Sequence, residues 1–262
     1  MQSLLIKMRF NGQELSTGTG FVADTAIGPV LVTNRHNVTG RRNDDGTLLS
    51  KTGAVPNEIV IVHNRVSAIK DAVGGWVEHV EPLFDDEKPR WREHPWLGPK
   101  ADFVALPLTQ LENVRLLPYN FSLDGIQIPI APAQPVSVIG FPFGITAGGS
   151  LGVWATGFIA SEPEVNYNDL PILLIDCRTR QGQSGSPVIA FRSAGTVMNT
   201  DRGVGYSDLT MYRIIGIYSG RINDQSDIGI VWKASAIVEL LDSFAPRKAN
   251  FGFGSIAQFL KS

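Results

Sequence analysis

The stretch Arg180-Gln181-Gly182-Gln183-Ser184-Gly185-Ser186-Pro187, followed by the apolar Val188-Ile189-Ala190, decides the reading of this chain. A serine between glycines in a tight turn presents its hydroxyl outward. It also leaves neighbouring backbone N–H groups free to converge on one point. Acyl transfer requires both, because the nucleophile and the donors that stabilise an oxyanion must meet at one reacting carbonyl. A serine nucleophile also needs a base. The chain has four histidines, at positions 36, 63, 79 and 94, and all of them precede Ser184.

That order discriminates among folds. An α/β-hydrolase runs serine, acid, histidine, and would need a histidine after Ser184. Residues Gly182 to Ser186 also miss the Gly-x-Ser-x-Gly pattern at the fifth position. A subtilisin order needs an acid before His36; Asp24 is available, but the helices of that fold are not. The remaining familiar order is histidine, aspartate, serine on a β-barrel scaffold. His36 has the best context, since Gly18-Thr19-Gly20-Phe21-Val22 and Val30-Leu31-Val32-Thr33 lead to it as two strands, which places it at a strand end facing a cleft. His63 lies inside an apolar strand, His79 ends another, and His94 falls in the loop Trp91–Trp96; these three read as structural or surface residues. Among the acids, Asp102 opens the apolar run Phe103-Val104-Ala105-Leu106, where an unpartnered carboxylate would be costly. Asp44, Asp45, Asp85 and Asp86 sit in polar loops and read as solvated.

Outward from these residues the pattern is β-like. Candidate strands are Leu4–Phe10, Gly18–Ala23, Val30–Thr33, Ile59–His63, Trp76–Val80, Phe103–Leu106, Val136–Ile139, Val153–Ala160, Ile172–Asp176, Val188–Phe191, Arg213–Tyr218 and Gly229–Trp232. Asn11-Gly12, Asp45-Gly46, Asp124-Gly125 and Gly148-Gly149 punctuate them as turns. Many short strands with few amphipathic segments predict an all-β barrel or sandwich. Helical period appears only near the end, where Ser235 would cap a stripe of Ile237, Leu240, Leu241 and Phe244, and Ser255 a shorter one of Ile256, Phe259 and Leu260. Residues 39–56, 81–100 and 193–212 read as long loops.

Composition sets the class. The chain has 262 residues, 43% of them hydrophobic and 18% charged, with 27 glycines and 16 prolines. That excludes a disordered or fibrous chain and fits a turn-rich globular one. With 23 basic against 25 acidic residues, nothing global draws it to nucleic acid or an anionic membrane. The uncharged stretch from Gly125 to Ser161 is broken by Pro129, Pro132, Pro135 and Pro142, so no membrane span is expected. Leu4-Leu5-Ile6 ahead of Lys7 is too short for a signal-peptide core. Cys177 is alone and has no internal disulfide partner, which suits a reducing, cytoplasmic setting. The histidine and cysteine spacings fit no zinc pattern, and neither metal nor cofactor is expected.

The chain resembles the trypsin-like serine peptidases of the chymotrypsin fold, closest in pattern to HtrA-like and other bacterial members. The resemblance rests on Gly18-Thr-Gly-Phe-Val, Val32-Thr-Asn-Arg-His36, Asp102-Phe-Val-Ala-Leu, Val138-Ile-Gly-Phe-Pro-Phe-Gly144, Gly182-Gln-Ser-Gly-Ser-Pro187, Ile214-Ile-Gly-Ile-Tyr-Ser-Gly220 and Gly229-Ile-Val-Trp-Lys-Ala-Ser-Ala-Ile237, in family order. It implies two packed six-stranded antiparallel β-barrels with a C-terminal helix. Residues 1–118 would form the first barrel, carrying His36 and Asp102, and residues 119–262 the second, carrying Ser184. By the family pattern the N–H groups of Gly182 and Ser184 form the oxyanion hole. The segment Ile217, Tyr218, Ser219 and Gly220 would pair with an extended peptide or protein substrate.

Departures from the family narrow the branch. Secreted digestive members carry an aspartate just before the serine, paired with a new N-terminus after activation; Gln183 stands there instead. No PDZ domain follows the peptidase pattern in this sequence. Arg178, six residues before Ser184, occupies the position of the pocket floor in digestive relatives. There it could favour an acidic side chain, or it could turn away and pair with Asp176. The Gly-x-Ser-Gly-Ser-Pro form also resembles glutamyl endopeptidases, but Tyr218 replaces their pocket histidine. The expected function is serine endopeptidase, with a catalytically quiet binding module and a serine esterase as alternatives. Related enzymes also leave room for an activating partner or ligand, with residues 193–212 as the gating segment.

Overall fold

The computed structural model describes residues 3–69, 74–122, 128–200, 203–223 and 225–245. The second helix candidate, residues 255–260, lies outside them. The described chain runs β1 (Ser3–Phe10), β2 (Gln13–Thr25), β3 (Gly28–Thr33), α1 (Arg35–Thr39), β4 (Glu58–Asn64), β5 (Trp76–Pro82), β6 (Phe84–Asp85), β7 (Lys88–Pro89), β8 (Arg92–Glu93) and β9 (Val104–Pro107). It continues with β10 (Pro135–Gly140), β11 (Val153–Ile159), β12 (Ile172–Asp176), β13 (Pro187–Arg192), β14 (Thr196–Thr200), β15 (Gly203–Ser207), β16 (Met211–Arg221), β17 (Ile228–Lys233) and α2 (Ala234–Asp242).

Each candidate strand corresponds to one of these elements. The architecture is all-β, with a closed barrel in the order β10-β11-β12-β17-β16-β13. The first half is a seven-stranded antiparallel sheet, β5-β4-β1-β2-β3-β9-β8, in which the short β8 adds an edge strand to the six that were expected.

Strand period explains why so many of these strands read as unbroken apolar runs. Side chains alternate between faces, and here both faces are covered. Leu4, Ile6, Met8, Val22, Leu31, Val104 and Leu106 point into the core of the first half. Their neighbours Phe21, Ala23, Val30, Val32, Phe103 and Ala105 point the other way, into a cluster shared with Ile217, Trp232, Ile237 and Leu240 of the second half. The apolar stripe of α2 completes this shared core, with Ile237, Leu240 and Phe244 almost fully buried. The second barrel fills with Val136, Val138, Leu173, Ile175, Val188, Ile215 and Val231.

Four expectations are corrected. His36 is not at a strand end but in α1, because β3 stops at Thr33, Asn34 caps the turn in an extended conformation, and Gly40 closes it at φ 62°. Ser235 does not cap α2; β17 runs straight into the helix, and Lys233 holds the cap position with its N–H on the Pro171 carbonyl. Residues 193–212 are not a plain loop, since β14 and β15 pair as a hairpin with Val197 opposite Tyr206, as β-branched and aromatic side chains favour. Residues 81–100 likewise contain the ends of β5 and the short strands β6 to β8. Glu81 anchors this region from a fully buried position, accepting hydrogen bonds from Thr109, Gln110 and Arg90.

His63 is buried in β4, 1% exposed, and its Nε2 has no hydrogen-bond partner among the described residues. Burial, and then the charge of neighbouring His79, push its pKa down to about 4. The unfolded chain, with a histidine near 6.5, therefore binds an extra proton between these two values. This contribution is intact above pH 6.5 and is lost as the pH falls toward 4, up to about 3 kcal/mol. Urea unfolding at pH 7 and pH 4.5 is expected to show a smaller acid-induced loss in His63→Leu than in the wild type; equal losses would refute this origin.

Candidate active site

Asp102 is the fixed point of the site. Its side chain is buried, 5% exposed, in the turn that precedes β9. Oδ1 accepts the backbone N–H of His36 at 3.0 Å, and Oδ2 lies 2.7 Å from His36 Nδ1. The carboxylate accepts, so the proton sits on Nδ1 and leaves Nε2 as the basic nitrogen. The Ser219 hydroxyl donates to the same Oδ2. A β-bulge explains its reach: β16 slips against β17 between Tyr218 and Gly220, which turns Ser219 out of the regular alternation. The helix carrying His36 is held by an ion pair from Arg35 to Glu93 of β8 at 2.8 Å.

Ser184 follows a tight turn whose geometry is fully specified. Gln183 N–H bonds the Arg180 carbonyl at 3.2 Å, and Gly182 has φ 92°, which makes Arg180–Gln183 a type II turn. Glycine is required at this third position twice over. The left-handed φ disfavours a side chain, and a Cβ there would lie 2.4 Å from the Phe141 carbonyl. Gln183 is buried and folds back to accept the Arg180 N–H at 2.7 Å. Among the described residues, neither the Gly182 nor the Ser184 N–H has an acceptor. The Ser184 hydroxyl makes no hydrogen bond to the His36 ring in this structure.

His36, Asp102 and Ser184 line one open cleft of about 610 Å³. The structure thus brings together all three residues singled out from the sequence. Of the expected substrate-binding segment, Ser219 and Gly220 line the cleft, while Ile217 and Tyr218 do not. Both are buried on opposite faces of β16, Ile217 in the core shared by the two halves and Tyr218 inside the second barrel. Tyr218 bonds Thr179 through its hydroxyl, and burial raises its phenol to about 12. Arg221, beyond the expected segment, is a wall residue of the cleft. Arg178 is not a pocket floor: its side chain is 85% exposed and lies 3.9 Å from Asp227, the partner in place of Asp176. Cys177 is buried, with its thiol pushed up to about 11 by desolvation, and is not a reactive thiolate at neutral pH. No three His, Cys, Asp or Glu side chains among the described residues converge as a metal site.

The sequence reading missed the polar network that docks the serine turn onto the first half. Ser184's carbonyl accepts the Thr19 N–H at 3.0 Å and Asn37 Nδ2 at 3.3 Å. Thr33 Oγ1 donates to the Thr19 carbonyl and accepts from Asn37. Thr19 Oγ1 donates to the Gly182 carbonyl at 2.9 Å and accepts the Phe141 N–H at 3.2 Å. All three side chains are buried. The available signal was their polarity within otherwise apolar runs, since a buried hydroxyl or amide needs partners.

A family model for the trypsin-like peptidase domain matches residues 18–198 of the chain. No curated protein matches the sequence. Among solved structures, Deg5 aligns with a TM-score of 0.50 at 16% identity, over 90% of this chain and 85% of that one. The active form of the Rv3671c protease from M. tuberculosis aligns with a TM-score of 0.48 at 16% identity, over 92% and 79% of the two chains. A serine endoprotease from Yersinia pestis aligns at 0.47 and 14% identity, over 92% and 64%.

Thr19 offers a direct test of the docking network. Thr19→Val keeps the shape but orphans a buried carbonyl on Gly182 and a buried N–H on Phe141. Unfolding at pH 7 is expected to show a loss of about 2–4 kcal/mol, against less than about 1 kcal/mol for a shape-conserving swap without polar consequences.

Proposed function

Because the chain belongs to the trypsin-like peptidase domain family, we propose that it is a serine endopeptidase acting through His36, Asp102 and Ser184. The observation that carries the reading is the 2.7 Å contact between His36 Nδ1 and Asp102 Oδ2 at one wall of the cleft that also holds Ser184. Asp102 holds the imidazole in the tautomer whose Nε2 can take a proton, and offsets the positive charge when it does.

In this mechanism Ser184 Oγ attacks the peptide carbonyl as His36 Nε2 removes its proton. The negative charge that develops on the carbonyl oxygen is met by the Gly182 and Ser184 N–H groups. Collapse of the tetrahedral species breaks the C–N bond, and His36 returns the proton to the leaving amine. Water, deprotonated by the same nitrogen, then hydrolyses the acyl-enzyme and regenerates Ser184. The open Ser184–His36 geometry fits this reading, because such contacts tighten once substrate fills the cleft. An extended peptide laid along Ser219–Arg221 would present its carbonyl to Ser184. A reducing, cytoplasmic setting suits the single buried Cys177.

A fluorophosphonate probe is expected to label the protein, and the label to vanish in Ser184→Ala. Peptide-library digestion should show internal cleavage. Ser184→Ala or His36→Ala should lower kcat by about 10⁶, and Asp102→Asn by about 10⁴. Labelling with ester but no peptide turnover would point to an esterase. A folded protein that resists the probe even with peptide present would point to a binding module.

A further inference from the structure

Two turns with left-handed residues meet at Gly182, and one hydrogen bond joins them. The first is the type II turn Arg180–Gln183, with Gly182 at φ 92°. The second is Pro142-Phe143-Gly144-Ile145, closed by Ile145 N–H on the Pro142 carbonyl at 2.8 Å. Its central residues are Phe143 at φ 54°, ψ 23° and Gly144 at φ 72°. Both central φ values are positive, which is the type I′ pattern that favours Asn-Gly and disfavours a bulky side chain in the first place. Phe143 gains little burial in exchange, since it is 64% exposed. Its N–H instead reaches the Gln181 carbonyl at 2.6 Å.

That contact bears on the proposed oxyanion donor. A type II turn and the commoner type I turn share their end residues and differ by rotation of the central peptide, here Gln181–Gly182. In a trans peptide the C=O and the following N–H point in opposite directions. Holding the Gln181 carbonyl toward Phe143 therefore turns the Gly182 N–H away from Phe143, where it has no acceptor among the described residues. Rotation into a type I turn would withdraw that N–H and bring the Gln181 carbonyl round in its place.

We propose that Phe143 is a positioning residue, whose left-handed backbone aims its N–H at Gln181 and so keeps the Gln181–Gly182 peptide in the orientation that leaves the Gly182 donor available. The proposal rests on the serine peptidase reading above. Strain in a sparsely populated backbone region persists where the surroundings over-determine it, and sites of function are where such strain collects. It also makes the side chain at 143, which is outside the lining of the cleft, a tuning element: residues that accept left-handed φ strengthen the latch, and β-branched residues weaken it.

The test is a series at one exposed position. Phe143→Asn and Phe143→Gly are expected to keep or raise kcat. Phe143→Val should lower it several-fold to about tenfold, with KM within about twofold and an unfolding midpoint lowered by no more than a few degrees. A packing role would instead rank the variants by apolar size, leaving valine above glycine and asparagine. That ranking, or a valine variant with wild-type kcat, would overturn the latch. The crystal structure of Phe143→Val supplies a readout independent of activity. The Gln181 carbonyl is expected to have turned and Gly182 to have left positive φ; an unmoved peptide overturns the proposal. Loss of the peptidase reading is recognised separately, by a wild-type protein that neither cleaves peptides nor takes the fluorophosphonate label.

Discussion

One buried carboxylate ties the two halves of the molecule together. Asp102 accepts two hydrogen bonds from His36 and one from Ser219, so a single side chain of the first half is satisfied partly by α1 of its own half and partly by β16 of the second. A buried carboxylate without such partners would cost several kcal/mol. The positions of α1, the bulge in β16 and the imidazole ring are therefore linked. Moving any one of them leaves Asp102 short of a partner, which is how the packing of two sheets becomes sub-ångström geometry at His36.

A second link runs through the backbone of the serine turn. Thr19, Thr33 and Asn37 hold the Ser184 and Gly182 carbonyls against β2 and α1, while the Gly182 and Ser184 N–H groups, which belong to the preceding peptides, have no acceptor among the described residues. Gly185 allows the close approach, since a Cβ there would lie 2.0 Å from the Thr19 carbonyl. The nucleophile turn is positioned largely by what its carbonyls bind. A trans peptide whose C=O is anchored also aims the N–H of the following residue, and the Gln183 and Gly185 N–H groups accordingly bond the Arg180 and Tyr218 carbonyls.

Much of this was legible in the sequence for identifiable reasons. Strands announced themselves as short apolar runs between turn residues, and the order of the histidines relative to Ser184 left one familiar arrangement. Asp102 was found because its place at the head of an apolar run demanded a partner. His36 was found as well, although its local structure was misread, because a one-turn helix between Asn34 and Gly40 is too short to show a period. The hairpin of β14 and β15 was missed because exposed strands carry no alternation between core and solvent to read. Family position points Arg178 and Ile217 at the cleft, but the facing of a side chain in the segment after β12, or just before the bulge in β16, is set by tertiary contacts that the local sequence does not carry.

By itself, then, the sequence determined the all-β class, the order of the candidate triad and the need for glycine around Ser184. These follow from local patterns and from residue types whose chemistry is intrinsic. Only the tertiary structure decided that Ser219 bonds Asp102, that Tyr218 turns inward, that Arg178 faces solvent beside Asp227, and that Phe143 reaches Gln181. Each of these depends on contacts between residues dozens of positions apart, or on the register of one strand against another. A hydrogen bond is specified by the position of both its ends, and the chain between them carries no mark of where the far end will be.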